Sequence, residues 1–352
     1  MRHPVPASSA QISARLPSPG VRMTVARRTA PAVPTSARRR GWQGESAGEV
    51  AVRLARRHLD AATEAAERLA EAADPEALHD FRVALRRLRS VLRAYRSCLR
   101  KLPKKLRREL KHVARATSAG RDAEVFLEWL NAQSSFPASE KTARERLQRR
   151  LEQVRDAAYR QLRSEMPADF TMLAKRLHQT LVARRNAASY GEVTAMRLHA
   201  QIADLAADLA RVRSVADAES IHAARIQAKR LRYLIEPLSR RLPDAGSGVK
   251  RLRAFQDETG ALCDGFVRRR LFTQAAGAEQ ARAAPADTDG EQTATTALND
   301  VVPGLRGLAR RSERQVHRQF QRLQDRYLEA RTRRWLEPFM RLEHQLAAPR
   351  MK

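Results

Sequence analysis

The sequence predicts an all-α protein made of two similar helical halves. Apolar residues recur at spacings of three and four along most of the chain, and almost no segment alternates with period two. An eleven-residue pattern that begins at His79 recurs 143 residues later, at His222. The third observation is charge, because 68 Lys and Arg against 39 Asp and Glu give a formal net charge of +29. We expect such a cationic helical protein to bind a polyanion.

Residues 1–45 differ in composition from the rest of the chain. They hold eight Arg, six Pro and a single acid, Glu45, without lasting apolar periodicity. We expect a disordered arm that carries +7 of the charge and leaves +22 on the helical body. An organellar transit peptide and a true start at Met23 are alternative interpretations, although the prolines would interrupt the amphipathic helix of a transit peptide.

The composition also excludes several classes of protein. The two cysteines, Cys98 and Cys263, belong to no C-x-x-C pair, so no disulfide framework is expected. The chain has no run of 18 apolar residues and no apolar segment of a secretory signal. We therefore expect a cytoplasmic protein without a membrane partner.

The first predicted half covers residues 46–166. Apolar residues at alternating three- and four-residue spacings predict its first helix, and Asp74-Pro75 supplies an N-cap and a first-turn proline for the second. Pro167 is expected to end the fourth helix. The four helices are predicted over about residues 46–69, 74–100, 104–134 and 138–166. Four helices with short connections indicate a bundle.

The second predicted half, residues 167–345, repeats this order. Gly246 and Gly248 predict a loop, residues 279–299 predict a flexible insertion, and Pro338 predicts a kink in the last helix. An apolar seam consists of Leu198, Ile202, Leu205, Leu209 and Val212. The helices after this seam are predicted over about residues 217–241, 249–278 and 301–345.

The repeated pattern is H-x-x-R-[VI]-x-x-[RK]-R-L-R. A second pair of similar segments, Thr117–Asp122 and Thr259–Asp264, ends 42–43 residues after each histidine. Two matched landmarks at a matched separation indicate that the halves are duplicated units.

A helical wheel places the cations of each copy beside its apolar face. At 100° per residue, the histidine and four arginines of the first copy fall within an arc of about 80°. The first stripe consists of His79, Arg82, Arg86, Arg89 and Arg93. The second stripe consists of His222, Arg225, Lys229 and Arg232, with Glu236 in the place of Arg93. Arg87 and Arg230 lie off the stripes and are weaker candidates.

Such rows of cations do not help a helix to fold. Like charges three or four residues apart repel by about 0.2–0.5 kcal/mol per pair, whereas phosphate oxygens accept charge-assisted hydrogen bonds from guanidinium. A single Arg-rich face is usually only solvated, and a single His is usually a packed or capping residue, but their recurrence in both copies favours a site. Asp122 and Asp264 could be catalytic acids, although helix N-caps or partners of the stripe arginines are the favoured interpretations.

The paired motif resembles the CHAD family, the histidine-bearing α-helical domain, as do Arg121-Asp122 and the stretch from Phe255 to Asp264. The resemblance covers about residues 46–345. It implies two four-helix bundles related by a pseudo-twofold axis, with the motif helices facing each other across a basic central channel. It also implies binding of inorganic polyphosphate and location at polyphosphate granules. The channel residues that it implies are His79, Arg82, Arg86, Arg89, His222, Arg225, Lys229 and Arg232, to which the wheel adds Arg93.

The chain departs from the family pattern in two places. Thr117-Ser118 stands where a Leu-Gly step is usual, which concerns a helix junction more than the site. Cys263 replaces the arginine that the first copy has at position 121, so the halves need not bind equally. The chain has no E-x-E-x-K motif of the triphosphatase domain that some relatives carry.

Three classes of function are compatible with the sequence. We favour non-catalytic polyphosphate binding that depends steeply on salt and strengthens below about pH 6.5, where histidines become charged. Weak non-specific nucleic-acid binding is the alternative, although helix-turn-helix and zinc-finger patterns are missing and aromatics are few. An enzyme of phosphate metabolism is least favoured, because phosphate-loop, H-E-x-x-H and Mg²⁺-type carboxylate patterns are missing. We predict no catalytic residue, metal or cofactor, and the sequence leaves the oligomeric state open.

Overall fold

The computed structural model describes residues 41–69, 74, 76–133, 136–185, 188–283 and 292–347. Within these residues the secondary structure is helical, and the β pairing consists of two isolated antiparallel bridges. The predicted all-α class is therefore confirmed. Residues 1–40 of the predicted arm lie outside the described residues. None of the described helices is long and apolar enough to cross a membrane.

The first part of the body contains five α-helices. Their bounds are α1 Ala47–Arg68, α2 Ala77–Ala94, α3 Lys104–Ala116, α4 Ser118–Asn131 and α5 Ala138–Thr180. A short 3₁₀ helix, Trp42–Gly44, precedes them, and the Trp42 ring packs edge-on against Tyr190 at 6.0 Å between ring centroids. The carboxylate of Asp74 accepts backbone N–H bonds from Glu76 and Ala77, as expected of a cap before α2.

The second part repeats the pattern with five more helices. Their bounds are α6 Tyr190–Ala210, α7 Ala218–Ile235, α8 Pro243–Ala283, α9 Gln292–Tyr327 and α10 Ala330–Ala347. A 3₁₀ turn, Glu236–Leu238, extends α7 by three residues. The predicted apolar seam of α6 is confirmed, since Leu198, Leu205 and Leu209 are buried.

The two parts begin in the same way. Ser46 and Ser189 lie 143 residues apart, as the two motif histidines do. Each serine side chain accepts a hydrogen bond from the backbone N–H of a glutamate three residues later, Glu49 and Glu192. The two serines also pair with each other in an antiparallel bridge, which joins the starts of α1 and α6. The register of the motif therefore extends back to the first helix of each part.

Two predicted helices of the first part are shorter than expected. Helix α2 ends at Ala94 rather than near Arg100, because Tyr95 turns inward to stack on Tyr190, with ring centroids 5.6 Å apart. Leu99 then pairs with Ala183 in the second bridge. The predicted helix over 104–134 breaks at Thr117, whose hydroxyl donates to the carbonyl of Ala114 at 3.0 Å.

The predicted helix end at Pro167 was wrong, because α5 continues to Thr180. An interior proline costs about 3 kcal/mol. Beyond it, Phe170, Leu173 and Leu177 are buried, and each such side chain contributes about 1.5–3 kcal/mol. Packing of this last stretch therefore outweighs the cost of the proline. The predicted division of the body after residue 166 falls inside this helix.

Two predictions for the second part were also wrong. Gly246 and Gly248 lie inside α8, where Gly248 serves close packing, since a Cβ there would lie 2.9 Å from the Phe339 ring. The last predicted helix divides at Glu329, which has a φ of 56°, rather than bending at Pro338. Of the predicted insertion, residues 284–291 lie outside the described residues.

The hydrophobic core runs through both parts. Its main cluster contains residues from all the helices except α4, and Phe81 of α2 packs edge-on against Phe170 at 4.9 Å between centroids. A smaller cluster joins α4 to α8 and α9 through Trp129, Phe272 and Leu308. These contacts fix α2 and α7 against the rest of the protein and determine which of their faces stay open.

Candidate polyanion-binding site

Helix α2 separates its apolar and cationic faces as the wheel predicts. Phe81, Leu85 and Leu88 are buried in the core. On the adjoining face Arg82, Arg86 and Arg89 are half-buried, whereas His79 and Arg93 at the two ends of the stripe are exposed. The first stripe therefore lies along the edge of the core, with its arginine stems covered and its charges directed outward.

Helix α7 repeats this arrangement. Ala224, Ala228 and Leu231 are buried beneath the second stripe. The stripe cations Arg225, Lys229 and Arg232 are half-buried, and His222 at the start of the stripe is exposed. The small alanine side chains let other helices approach α7 closely on this face.

The structure brings the two stripes together. Helices α2 and α7 pack against each other. Burial, followed by the neighbouring charges of Arg225 and Arg86, lowers the pKa of Lys229 to about 8. Because Arg86 belongs to α2, the first stripe acts electrostatically on the second. The repulsion between them has to be offset by packing in the free protein.

Arg82 is held by the junction between α3 and α4. Its guanidinium donates hydrogen bonds to the carbonyl and the hydroxyl of Thr117, the latter at 3.2 Å, and Thr117 is buried. Arg86 in turn donates to the carbonyl of Arg82 at 3.3 Å. Burial and the charge of Arg86 lower the pKa of Arg82. The Thr117 landmark of the sequence is therefore the support of a stripe arginine.

The corresponding landmark in α8 supports Arg225. Gly260 lies against its guanidinium, and a Cβ at that position would lie 3.1 Å from Nη2. The Nε of Arg225 is buried and has no hydrogen-bond partner in the described structure. Nearby, the side-chain amide of Gln256 donates to the carbonyl of Ala228 at 3.1 Å, which ties α8 to α7. Each landmark thus positions the first arginine of its own stripe.

Asp122 and Asp264 do not cap helices. Asp122 lies in the second turn of α4 and Asp264 lies in the interior of α8, so the N-cap interpretation was wrong. Burial raises the pKa of Asp122, with the charge of Arg82 acting in the opposite direction and that of Asp264 in the same direction. The two aspartates are thus electrostatic neighbours, one from each part. Within the described residues, no three His, Cys, Asp or Glu side chains are grouped as a metal site.

The stripe cations lack acidic partners. Among the described residues, no ion pair within 4.0 Å involves any of the seven stripe cations, and the Nε atoms of Arg225 and Arg232 are buried without a partner. The off-stripe Arg87 behaves differently, because it binds Glu236 through two hydrogen bonds of 2.5 and 3.3 Å. The cations that remain free are thus the ones the wheel selects.

Sequence reasoning missed two cations near the stripes. Arg268 of α8 is only 3% exposed, lies over the Trp129 ring at 4.8 Å, and has its pKa lowered by burial to about 10, with Asp264 opposing the shift. Arg115 in the last turn of α3 acts with Arg93 to lower the pKa of the half-buried Arg89. The position of Arg268 four residues after Asp264 was a signal for it, whereas Arg115 could be assigned only from the packing of α3.

The histidines of the motif are weak pH sensors in this structure. Partial burial, Arg225 and Lys229 lower the pKa of His222, so its protonation requires a pH below the ordinary histidine value. His58 of α1, outside the motif, has its pKa lowered to about 4, by burial and by Arg87 and Arg57, against the opposing effect of Glu236. In the free protein, His222 is therefore mostly neutral at pH 6.5.

The comparisons with known proteins agree with this architecture. The sequence model of the CHAD domain matches residues 53–273. No curated protein matches the chain in sequence. Among solved structures, the chain is similar to the crystal structure of the CHAD domain from the plant Ricinus communis, with 22% identity and a TM-score of 0.59 over 79% of this chain and 93% of that chain. It is also similar to PptA from Streptomyces chartreusis, with 19% identity and a TM-score of 0.46 over 79% of this chain and 100% of that chain.

The fold and the site define a class of protein, an all-α chain with a repeated motif that brings two cationic helix faces together. The family match covers more than half of the chain. This protein belongs to the CHAD domain family.

Proposed function

We propose that this protein binds inorganic polyphosphate without catalysing its conversion. The observation that carries the proposal is the juxtaposition of two stripes of cations that have no acidic partners in the described structure. Membership of a family whose domains bind polyphosphate supports it further. The residues proposed to bind are His79, Arg82, Arg86, Arg89, Arg93, His222, Arg225, Lys229 and Arg232.

A linear phosphate chain fits the linear stripes. From His79 to Arg93 the first stripe is about 21 Å long at 1.5 Å per residue. Guanidinium groups donate paired hydrogen bonds to phosphate oxygens, and each contact releases counterions from the chain. The repulsion between Arg86 and Lys229 is relieved when negative charge lies between them. The same contacts would hold the protein at polyphosphate granules in the cytoplasm, where we propose that it acts.

Non-specific nucleic-acid binding is the competing function. The exposed basic surface supplies weak binding to any phosphate backbone, including that of RNA. The stripes, however, offer no aromatic platform: within the described residues, the aromatic neighbours of the stripe cations are Tyr159 and Tyr233. We therefore propose that bases contribute little and that polyphosphate is preferred over DNA at equal phosphate concentration.

The test is a competition experiment on the full chain. Labelled long-chain polyphosphate is displaced by unlabelled polyphosphate or by DNA, for the unmodified protein and for Arg82→Gln with Arg225→Gln. We expect a clear preference for polyphosphate and a loss of affinity of about tenfold or more in the double variant. The charge-matched control is Arg331→Gln with Arg333→Gln, two exposed arginines of α10, which should change neither value by more than about twofold.

Two results would contradict the proposal. Equal displacement by DNA and polyphosphate would favour the nucleic-acid function. Shortening of the polyphosphate chain during incubation with the protein and Mg²⁺ would favour an enzyme instead of a binding protein.

A further inference from the structure

The duplication places equivalent residues of the two parts in equivalent contacts. Arg87 and Glu236 form the ion pair between α2 and α7. Their equivalents, 143 residues later and earlier, are Arg230 and Arg93. Arg93 and Arg230 do come together, because both line one cavity between α2, α6 and α7. The same helix contact is therefore made twice, once by an arginine and a glutamate and once by two arginines.

The surroundings of the two contacts also correspond. His58 of α1 lies beside Arg87 and Glu236. Its equivalent in α6, Gln201, lines the cavity with Arg93 and Arg230. The cavity has a volume of about 20 Å³, enough for one oxygen-sized atom. Both Gln201 Oε1 and Arg230 Nε are buried there without a hydrogen-bond partner in the described structure.

The arginine contact belongs to a larger cluster of cations. Arg93 and Arg115 lower the pKa of Arg89, and Arg93 lowers that of Arg230. Asp204 and Asp208 oppose the shift of Arg230, but Asp208 is paired with Arg211 at 2.9 Å. The cluster consists of Arg89, Arg93, Arg115 and Arg230.

The other part of the molecule has no such cluster. In the register of the second landmark, Asp257 holds the position that corresponds to Arg115, and Glu236 corresponds to Arg93. Two of the four cations are thus replaced by acids at the equivalent place. The two ends of the paired stripes therefore differ in charge, although the helices that form them are equivalent.

We propose that this cluster of four arginines binds a terminal phosphate group of a phosphate chain. The inference rests on the proposed function and names the part of the ligand that the cluster recognises. Interior phosphates of a linear chain carry one negative charge each, whereas a terminal phosphate has a second ionisable oxygen with a pKa near 6 and carries nearly two at neutral pH. The densest group of free cations suits the densest negative charge. The acid-containing end, neutralised by Glu236, accepts the chain less strongly, so the chain lies in a fixed direction.

The test compares a linear with a cyclic competitor. Linear tripolyphosphate has two terminal groups, and cyclic trimetaphosphate, with the same number of phosphorus atoms, has none. Each displaces labelled long-chain polyphosphate from the full chain at constant ionic strength. We expect the linear competitor to act at a concentration at least tenfold lower. In Arg230→Gln and in Arg93→Glu, which copies the second part, this ratio should fall at least fivefold while the melting temperature does not fall.

The controls separate this inference from general electrostatics. Arg225→Gln, inside the second stripe, should weaken both competitors equally and keep the ratio, and Arg333→Gln should change neither. A ratio near one in the unmodified protein, an unchanged ratio in both cluster variants, or a lower melting temperature in both would overturn the inference while polyphosphate still binds. If labelled polyphosphate does not bind the unmodified protein at low salt, the proposed function itself is refuted and this inference falls with it.

Discussion

Lys229 titrates closer to neutral pH than an ordinary lysine does. Burial between the two stripes and the charges of Arg225 and Arg86 lower its pKa to about 8. The sequence led us to expect that histidine would dominate the pH dependence of binding. The structure shifts that role, because the pKa of His222 is lowered and Lys229 loses its proton in the mildly alkaline range.

We predict that polyphosphate binding weakens several-fold between pH 7 and pH 9. Free Lys229 loses its proton as the pH rises through about 8, whereas a bound phosphate chain raises its pKa and keeps it charged. Binding therefore takes up a proton in this range. The measurement is the dissociation constant at both pH values at constant ionic strength. Lys229→Arg, which stays charged, should remove the slope, and a flat profile in the unmodified protein would refute the prediction.

Gly260 gives a second prediction at the residue scale. Gly260→Ala places a Cβ 3.1 Å from the guanidinium of Arg225, so we expect the arginine to shift and polyphosphate affinity to fall about threefold or more. The same change removes a glycine from the interior of a helix, which alone stabilises by about 0.5–1 kcal/mol. Thermal unfolding and binding are measured together.

Gly277→Ala is the matched control for this change. It lies in the same helix, and a Cβ there has no atom within 4 Å, so stability should rise with no change in affinity. Equal affinities for the Gly260→Ala variant and the unmodified protein would show that Arg225 does not depend on the glycine.

At the scale of elements, helix α5 shows how packing overrides a local signal. Pro167 has the residue type and position of a terminator, yet the helix continues because Phe170, Leu173 and Leu177 are buried beyond it. The missing N–H leaves the carbonyl of residue 163 without its helical donor. The helix therefore retains a local cost that the core offsets.

We predict that Pro167→Ala stabilises the protein by up to about 3 kcal/mol, because alanine restores the hydrogen bond and removes the ring clash. Denaturant unfolding gives the free energy change, and polyphosphate affinity should stay the same, since Pro167 lies away from both stripes. Lower stability in this variant would show that the proline relieves a strain in α5.

The sequence predicted the helical class, the seam of α6 and both stripes, because each depends on the periodicity of one helix. The breaks at Thr117 and Glu329 were missed, since only the packing of neighbouring helices requires them. Arg230 shows the same limit in the site. Its wheel angle places it off the stripe, and its contact with Arg93 follows from the way α7 crosses α2. Contacts between helices are not written in the period of either one.

At the scale of the whole molecule, the duplication converts a general excess of charge into a particular arrangement. The net charge of +29 includes the arm and many exposed cations, such as Arg331 and Arg333. The stripe cations differ because the fold places them side by side at the contact of α2 with α7. The ion pair of Arg87 with Glu236 joins the two parts at this contact and leaves the stripes free.

The measurement that tests this account most directly is the salt dependence of polyphosphate binding. If the seven stripe cations each contact a phosphate, the logarithm of the binding constant should fall against the logarithm of the salt concentration with a slope of about −5. Arg82→Gln with Arg225→Gln should make this slope shallower by about 1.4, and Arg331→Gln with Arg333→Gln should leave it unchanged. A slope near zero, or the same slope in both double variants, would contradict the claim that the paired stripes bind the phosphate chain.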